Sequence, residues 1–178
     1  MTGVGTDLSG VYITGLYGSG KSSVAAEMAE ILGRVGVPYA AIDLDWLTWF
    51  EVPGLDQASL DRVYLANLAA VVENYRKAGV KRFVFAGAVA GRDEVAAVEA
   101  AVGVTLRTVR LSAPPDVIEE RLRSDPVTSR LEDLETVRRW IEDGAGLDVG
   151  DLVVTNDGRP LQDTAREILY WLGWLPGR

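Results

Sequence analysis

Apolar residues along the chain alternate between short β-favouring runs and longer stretches with helical spacing. Strand-like runs occupy positions 11–16, 39–43, 82–87, 106–111 and 151–155. Between them apolar residues recur at the spacing of one helix face, as in the stripe Leu60, Tyr64, Leu68, Val71, Val72 and Tyr75, which Gly79 closes. Further helices are predicted from Arg92 to Ala101, Pro114 to about Arg123, Leu131 to Glu142 and Leu161 to Leu172. The pattern predicts an α/β fold with a parallel sheet covered by helices on both faces.

The chain has 178 residues and contains no repeat, low-complexity tract or linker-like segment. This length suits a single domain over positions 1–178 with a proper core. In a parallel sheet of this kind, ligands bind beyond the carboxyl ends of the strands. The residues that follow each predicted strand are therefore the first candidates for a functional site.

A glycine-rich segment follows the first predicted strand. Gly15-Leu16-Tyr17-Gly18-Ser19-Gly20-Lys21-Ser22 fits G-x-x-x-x-G-K-[ST], the phosphate-binding P-loop. Its predicted nucleotide contacts are Gly15, Gly18, Ser19, Gly20, Lys21, Ser22 and Ser23. Glycines let backbone N–H groups approach phosphate oxygens beside a helix N-terminus, the lysine reaches the β- and γ-phosphates, and the hydroxyl of Ser22 coordinates Mg²⁺. The alternative is a glycine turn with a chance Lys-Ser, but the strand–loop–helix context favours a bound nucleoside triphosphate with Mg²⁺.

The composition narrows the chemistry. The chain has no cysteine and no histidine, and its formal net charge is −8. A general base must therefore be a carboxylate, and Mg²⁺ carried by the nucleotide is the expected metal. The negative charge disfavours a nucleic-acid partner. Without a membrane-length apolar run or a signal-like N-terminus, we expect a cytoplasmic monomer or homodimer that contacts no membrane.

Two acids follow the second predicted strand. Asp43 and Asp45 are separated by one residue, and residues two apart in an extended chain point to the same side. Beside a P-loop, Asp43 is predicted to act on the metal side, while Asp45 accepts a proton from a substrate hydroxyl. The alternative is a pair of solvated acids at a strand end.

The loop and the Asp43-Leu44-Asp45 pair together resemble the small P-loop kinases, a group that includes shikimate, gluconate, adenylylsulfate and nucleoside monophosphate kinases. The resemblance implies a five-stranded sheet in the order 2-3-1-4-5 and a mobile lid, here at about 123–135. No Walker B acid ends the apolar run Phe83-Val84-Phe85-Ala86, which is normal for the shikimate-kinase-like members. The lid also lacks the Arg-Pro-Leu-Leu sequence typical of shikimate kinase itself.

The resemblance also implies roles for several polar residues. Arg121 looks like the arginine that packs on adenine. Arg130 and Arg123 look like lid arginines that close on the phosphates, and Arg130 is also expected to be catalytic. The alternative is a charged helix surface paired with nearby glutamates. Asn156 and Arg159 fall in the loop that borders the adenine in this group, although turn chemistry alone accounts for Asn-Asp-Gly.

The acceptor site is predicted between the second-strand acids, the helix after position 56 and the turn that starts at Gly87. Candidate substrate contacts are Asp45, Trp46, Arg62, Gly87 and Arg92. An aromatic ring such as Trp46 can stack on a ring or a sugar face, and Arg62 or Arg92 can pair with a substrate anion. The alternative for the tryptophan is packing at the edge of the core, and the alternative for the turn at Gly87 is a plain strand-to-helix connection. The predicted function is transfer of the γ-phosphate of ATP to a small-molecule hydroxyl. An ATP-binding or slowly hydrolysing switch for a protein partner is the alternative.

Overall fold

A computed structural model describes residues 8–125 and 130–175, and it leaves the side chains of residues 130–132 undescribed. The predicted alternation of strands and helices is present throughout this part of the chain. In order, the elements are β1 (Ser9–Thr14), α1 (Lys21–Arg34), β2 (Tyr39–Asp43), α2 (Asp45–Thr48), α3 (Gln57–Lys77), β3 (Arg82–Ala86), α4 (Arg92–Val102), β4 (Leu106–Ser112), α5 (Pro115–Ser124), α6 (Arg130–Asp143), β5 (Leu152–Thr155) and α7 (Leu161–Trp171).

The five strands form one parallel sheet in the order β2-β3-β1-β4-β5. This confirms the strand order that the family resemblance implied. Strand β1 lies at the centre, paired with β3 on one side and β4 on the other. The segments that follow β1, β2 and β3 therefore meet at one edge of the sheet, and the loop after β1 is flanked on both sides.

Apolar side chains fill both faces of the sheet. On one face, α1 and α7 pack with residues such as Met28 and Ile168 against Val11 and Ile13 of β1. On the other, α3 and α4 pack against a second cluster that includes Tyr12, Phe83 and Phe85. Alternate residues of β1 thus serve opposite cores, as strand geometry requires. A smaller cluster joins α5 to α6 beneath Leu16 and Tyr17 of the P-loop.

The two acids after the second strand are not both in extended chain. Strand β2 ends at Asp43, and Leu44 adopts αR dihedrals (φ −72°, ψ −25°) and begins the turn into α2. Asp43 Oδ1 accepts a hydrogen bond from the backbone N–H of Asp45 at 3.1 Å. The expectation that strand alternation aligns the carboxylates was wrong, because a short helix starts at Asp45. Both acids nevertheless lie at the carboxyl edge of the sheet.

Two expectations remain predictions. The central part of the proposed lid, residues 126–129, lies outside the described residues. Arg130 begins α6, but its side chain is not described. Among the helices of residues 8–125 and 130–175, none combines the length and apolar character needed to cross a membrane.

Candidate active site

The P-loop forms a compact turn between β1 and α1. Its three glycines, Gly15, Gly18 and Gly20, have φ values of 139°, 81° and 95°, a region that side chains rarely adopt. The ammonium of Lys21, the first residue of α1, donates to the carbonyls of Gly15 at 3.1 Å and Leu16 at 3.2 Å. It also lies 5.0 Å from the ring centre of Tyr17. The backbone of the loop therefore binds the ammonium group of Lys21 on its concave side.

Residues from three distant parts of the chain support this loop. Asn156, which is 7% exposed, donates from Nδ2 to the carbonyl of Ser19 at 2.9 Å, and its Oδ1 accepts from the hydroxyl of Thr164 at 3.2 Å. A Cβ on Gly20 would collide with Asn156 Nδ2. Arg121 donates to the carbonyls of Gly18 at 3.3 Å and Asn156 at 2.9 Å. The loop geometry thus depends on side chains from α5, α7 and the turn after β5.

The loop residues fit a triphosphate. Positive φ values at the glycines turn backbone N–H groups inward, and α1 begins at the loop with no side-chain cap, which leaves first-turn N–H groups available. The hydroxyl of Ser19 is fully buried and has no hydrogen-bond partner among the described residues. Such an orphaned donor inside a cradle of this kind is explained by a ligand.

Mg²⁺ would be held beside the nucleotide. Ser22 is exposed in the first turn of α1, and Asp43 is half-buried two strands away at the end of β2. Ser22 and Asp43 are the residues that would hold the ion, Asp43 through a coordinated water. Within the described ranges, no group of three acidic side chains is arranged to hold a metal ion by itself.

A separate cavity of about 540 Å³ lies next to the P-loop strand. It opens between α2, α3, α4 and the turn after β3, which contributes Gly87. The polar side chains of its wall are those of Tyr12, Asp45, Thr48, Gln57, Asp61, Tyr64 and Glu94. The structure therefore brings the predicted acceptor residues Asp45 and Gly87 together. The remaining lining is mainly apolar, as in most small-molecule sites.

Both phenols of this cavity are held in their protonated form. Burial raises the pKa of Tyr64 to about 12, with further contributions from Asp45 and Glu94. Burial also raises the pKa of Tyr12 well above its ordinary value, and Tyr64, Glu94, Asp45 and Tyr17 add to the effect. The cavity therefore presents phenol O–H donors beside carboxylate acceptors even well above neutral pH.

Solved structures of known proteins share this architecture. A sugar kinase from Janibacter sp. HTCC2649 is 20% identical, with a TM-score of 0.62 over 93% of this chain and 95% of its own. The Mycobacterium tuberculosis APS kinase in complex with AMPPNP and APS is 23% identical, with a TM-score of 0.62 over 93% and 98%. Shikimate kinase from Bacteroides thetaiotaomicron is 17% identical, with a TM-score of 0.62 over 93% and 98%. The chain has the fold of the small P-loop kinases.

Comparison of the sequence with known proteins assigns no family or activity to the chain. No protein-family model matches the chain, and no curated protein matches it. At identities below 25% the structural likeness concerns the fold, so the roles of individual residues have to be argued from the site itself.

Three residues predicted to bind the acceptor lie outside the cavity. Arg62 donates to the hydroxyl of Ser59 at 2.7 Å, and Arg92 donates to the carbonyl of Asp148 at 2.8 Å. Trp46 is 68% exposed and packs edge-on against Trp49 with ring centres 4.9 Å apart. None of the three is part of the cavity wall. Their predicted contact with the acceptor therefore has no support from this cavity.

The arginines that were predicted to contact the nucleotide have partners within the protein. Arg123 pairs with Glu119 at 3.2 Å, consistent with the alternative of a charged helix surface. Arg159 pairs with Glu167 at 2.6 Å on α7. Arg121 lies between the P-loop and the turn after β5, also 3.9 Å from Asp157. Its position beside the loop is compatible with its predicted adenine contact, which stays a prediction.

Sequence reasoning missed several residues of the site. Tyr12 reads as an ordinary apolar strand residue, and Asp61 and Glu94 read as helix-surface acids. Arg110 lies near the end of β4 and lines a second cavity of about 190 Å³ beside Gly15. Its Nε is buried and has no hydrogen-bond partner among the described residues. Strand β4 also contains Arg107, Thr108 and Ser112, so nothing in the sequence distinguishes Arg110 as a site residue.

Proposed function

We propose that this protein is an ATP-dependent phosphotransferase that moves the γ-phosphate to a hydroxyl of a small molecule. The observation that carries the proposal is the placement of two distinct sites at one sheet edge. The P-loop after β1 supplies a triphosphate cradle, and the cavity lined by Asp45 supplies space for an acceptor. A nucleotide switch for a protein partner does not require a second cavity with its own carboxylate.

The chemistry follows from the residues at each site. The acceptor oxygen forms a bond to the γ-phosphorus, the bond from that phosphorus to the β–γ bridging oxygen breaks, and ADP leaves. The chain contains no histidine, so a carboxylate is the expected proton acceptor. Asp45 receives the hydroxyl proton and later passes it to water. Lys21 and the loop N–H groups offset the phosphate charge, and Ser22 and Asp43 hold Mg²⁺ with the nucleotide. Arg130 remains the expected lid arginine.

The Asp45→Asn variant tests this function. The amide keeps the shape of the side chain but accepts a proton poorly, so we expect kcat to fall by about 10²–10⁴-fold while ATP affinity stays within about twofold. The assay is acceptor-dependent ADP release from a panel of hydroxyl compounds, with ATP binding measured by calorimetry.

The matched control is Lys21→Ala, which removes a phosphate contact and should weaken both ATP binding and transfer. Undiminished turnover in Asp45→Asn would exclude its role as proton acceptor. Absence of phosphorylated product from every hydroxyl compound, with ATP binding intact, would exclude the kinase function.

A further inference from the structure

The acceptor cavity carries several negative charges and no positive one among the described residues. Asp45, Asp61 and Glu94 belong to its wall, whereas no lysine or arginine of the described ranges does. Arg62 of α3 and Arg92 of α4 donate to Ser59 and Asp148 instead. An anionic acceptor would therefore meet three carboxylates and, next to them, the charge of the triphosphate.

The three carboxylates are spread over the cavity wall. Asp61 Oδ1 accepts from Gln57 at 2.8 Å, and Glu94 Oε1 accepts from the backbone N–H of Ala90 at 3.2 Å. Each of these hydrogen bonds engages one carboxylate oxygen. No three acidic side chains of the described residues are grouped closely enough to hold a single metal ion. This arrangement suits an extended organic cation better than a bare divalent ion.

A buried phenol provides an independent indication that a polar ligand binds here. The side chain of Tyr12 is 2% exposed and lines the cavity, and its hydroxyl makes no hydrogen bond to the described residues. Its hydroxyl lies 2.9 Å from the point where a Cβ on Gly87 would be, so the glycine leaves the hydroxyl accessible from the cavity. The ring is thus buried while the hydroxyl borders the cavity, where a ligand can complete its hydrogen bonding.

We propose that the acceptor is a cationic hydroxyl compound, an amino alcohol or amino sugar whose ammonium group is bound by Asp61 and Glu94. The proposal rests on the kinase function and adds the substrate class. Tyr12 donates to an oxygen of the acceptor, Asp45 receives the proton of the reacting hydroxyl, and the two outer carboxylates accept hydrogen bonds from the ammonium group. The same charges disfavour sugar acids and other anionic acceptors.

Two matched sets of probes test the charge preference without requiring turnover. The first is glucosamine, glucose and glucuronate, and the second is ethanolamine, ethylene glycol and glycolate. Binding is measured by ligand-observed NMR with a non-hydrolysable ATP analogue and Mg²⁺ present. In at least one set we expect the amine to bind about tenfold more tightly than the neutral compound, the factor of one charge-assisted hydrogen bond, and the acid to bind weakest.

Variants locate the preference in the cavity. In the double variant Asp61→Asn/Glu94→Gln the advantage of the amine over the neutral compound should disappear. The control is Asp93→Asn, which removes one negative charge from the neighbouring position on α4, outside the cavity wall, and should retain that advantage. The thermal unfolding midpoint of each variant, measured in parallel, separates a loss of selectivity from a loss of folding.

The outcomes distinguish this proposal from the kinase function. If neither set ranks the amine first, or if the double variant keeps the preference, the cationic substrate class is wrong. Transfer to neutral or acidic acceptors in preference to amines would also overturn it while leaving the kinase function standing. Amine-selective binding with no phosphoryl transfer to any amino alcohol would support the selectivity and contradict the kinase.

Discussion

Asn156 offers a direct test of how the P-loop is supported. Its amide bridges the carbonyl of Ser19 in the loop and the hydroxyl of Thr164 in α7. All three residues are buried, and Thr164 and Ser19 are 0% exposed. The Asn156→Ala variant removes both hydrogen bonds at once and leaves two buried polar groups without partners.

The size of the effect follows from those contacts. Each buried group left unsatisfied costs about 1–3 kcal/mol, so Asn156→Ala should lower the free energy of unfolding by about 3 kcal/mol. For a domain of this length each kcal/mol lowers Tm by about 2–4 °C, which gives a shift of about 6–12 °C. Because Ser19 and Gly20 lose their support, ATP affinity should also fall by about tenfold, the equivalent of one charge-assisted hydrogen bond.

The matched control is Thr164→Val, which keeps the volume and removes only the hydroxyl donor to Asn156. We expect a loss of about 1 kcal/mol and unchanged ATP affinity, because the bond from Asn156 to Ser19 remains. Urea unfolding and calorimetric titration with an ATP analogue measure both quantities. If Asn156→Ala were no more destabilising than Thr164→Val, and bound ATP normally, the bracing role would be refuted.

Two further predictions concern the acceptor cavity. A Cβ in Gly87→Ala would lie 2.9 Å from the hydroxyl of Tyr12 and 3.3 Å from Leu44, so the acceptor KM should rise while ATP affinity is retained; an unchanged acceptor KM would contradict the assigned position of the cavity. The phenol of Tyr64, with its pKa raised to about 12, should ionise late in an absorbance titration with alkali. Because an unfolded tyrosine ionises near 10, its contribution to stability is complete below about pH 10 and is lost as the pH rises through about 12. Ionisation of Tyr64 near 10, with circular dichroism showing a folded chain, would refute the electrostatic description of the cavity.

Local patterns in the sequence predicted most of the fold. The stripe from Leu60 to Tyr75 corresponds to α3, and the glycine-rich turn between β1 and α1 is where the motif placed it. The strand order then followed from the family resemblance and is confirmed. The geometry of Asp43 and Asp45 was less predictable, since four residues of α2 are too few to produce a helical pattern.

The electrostatic character of the acceptor cavity could not be predicted in the same way. Arg62 and Arg92 lie close in sequence to the cavity residues and were natural candidates for binding an anion. Their side chains instead donate to Ser59 and Asp148, and the second of these bonds spans more than fifty residues of sequence. A side chain's partner depends on such long-range contacts, which neither spacing nor composition encodes.

By itself, the sequence determined the phosphate loop and the exclusion of imidazole and thiolate chemistry, since these depend on residue type and short-range spacing. It also determined the alternation of strands and helices, because hydrophobic periodicity is a local property. Only the tertiary structure decided that Asn156 and Arg121 support the loop and that Tyr12, Asp61 and Glu94 share one cavity with Asp45. These residues come from separate elements, and packing on the sheet brings them together.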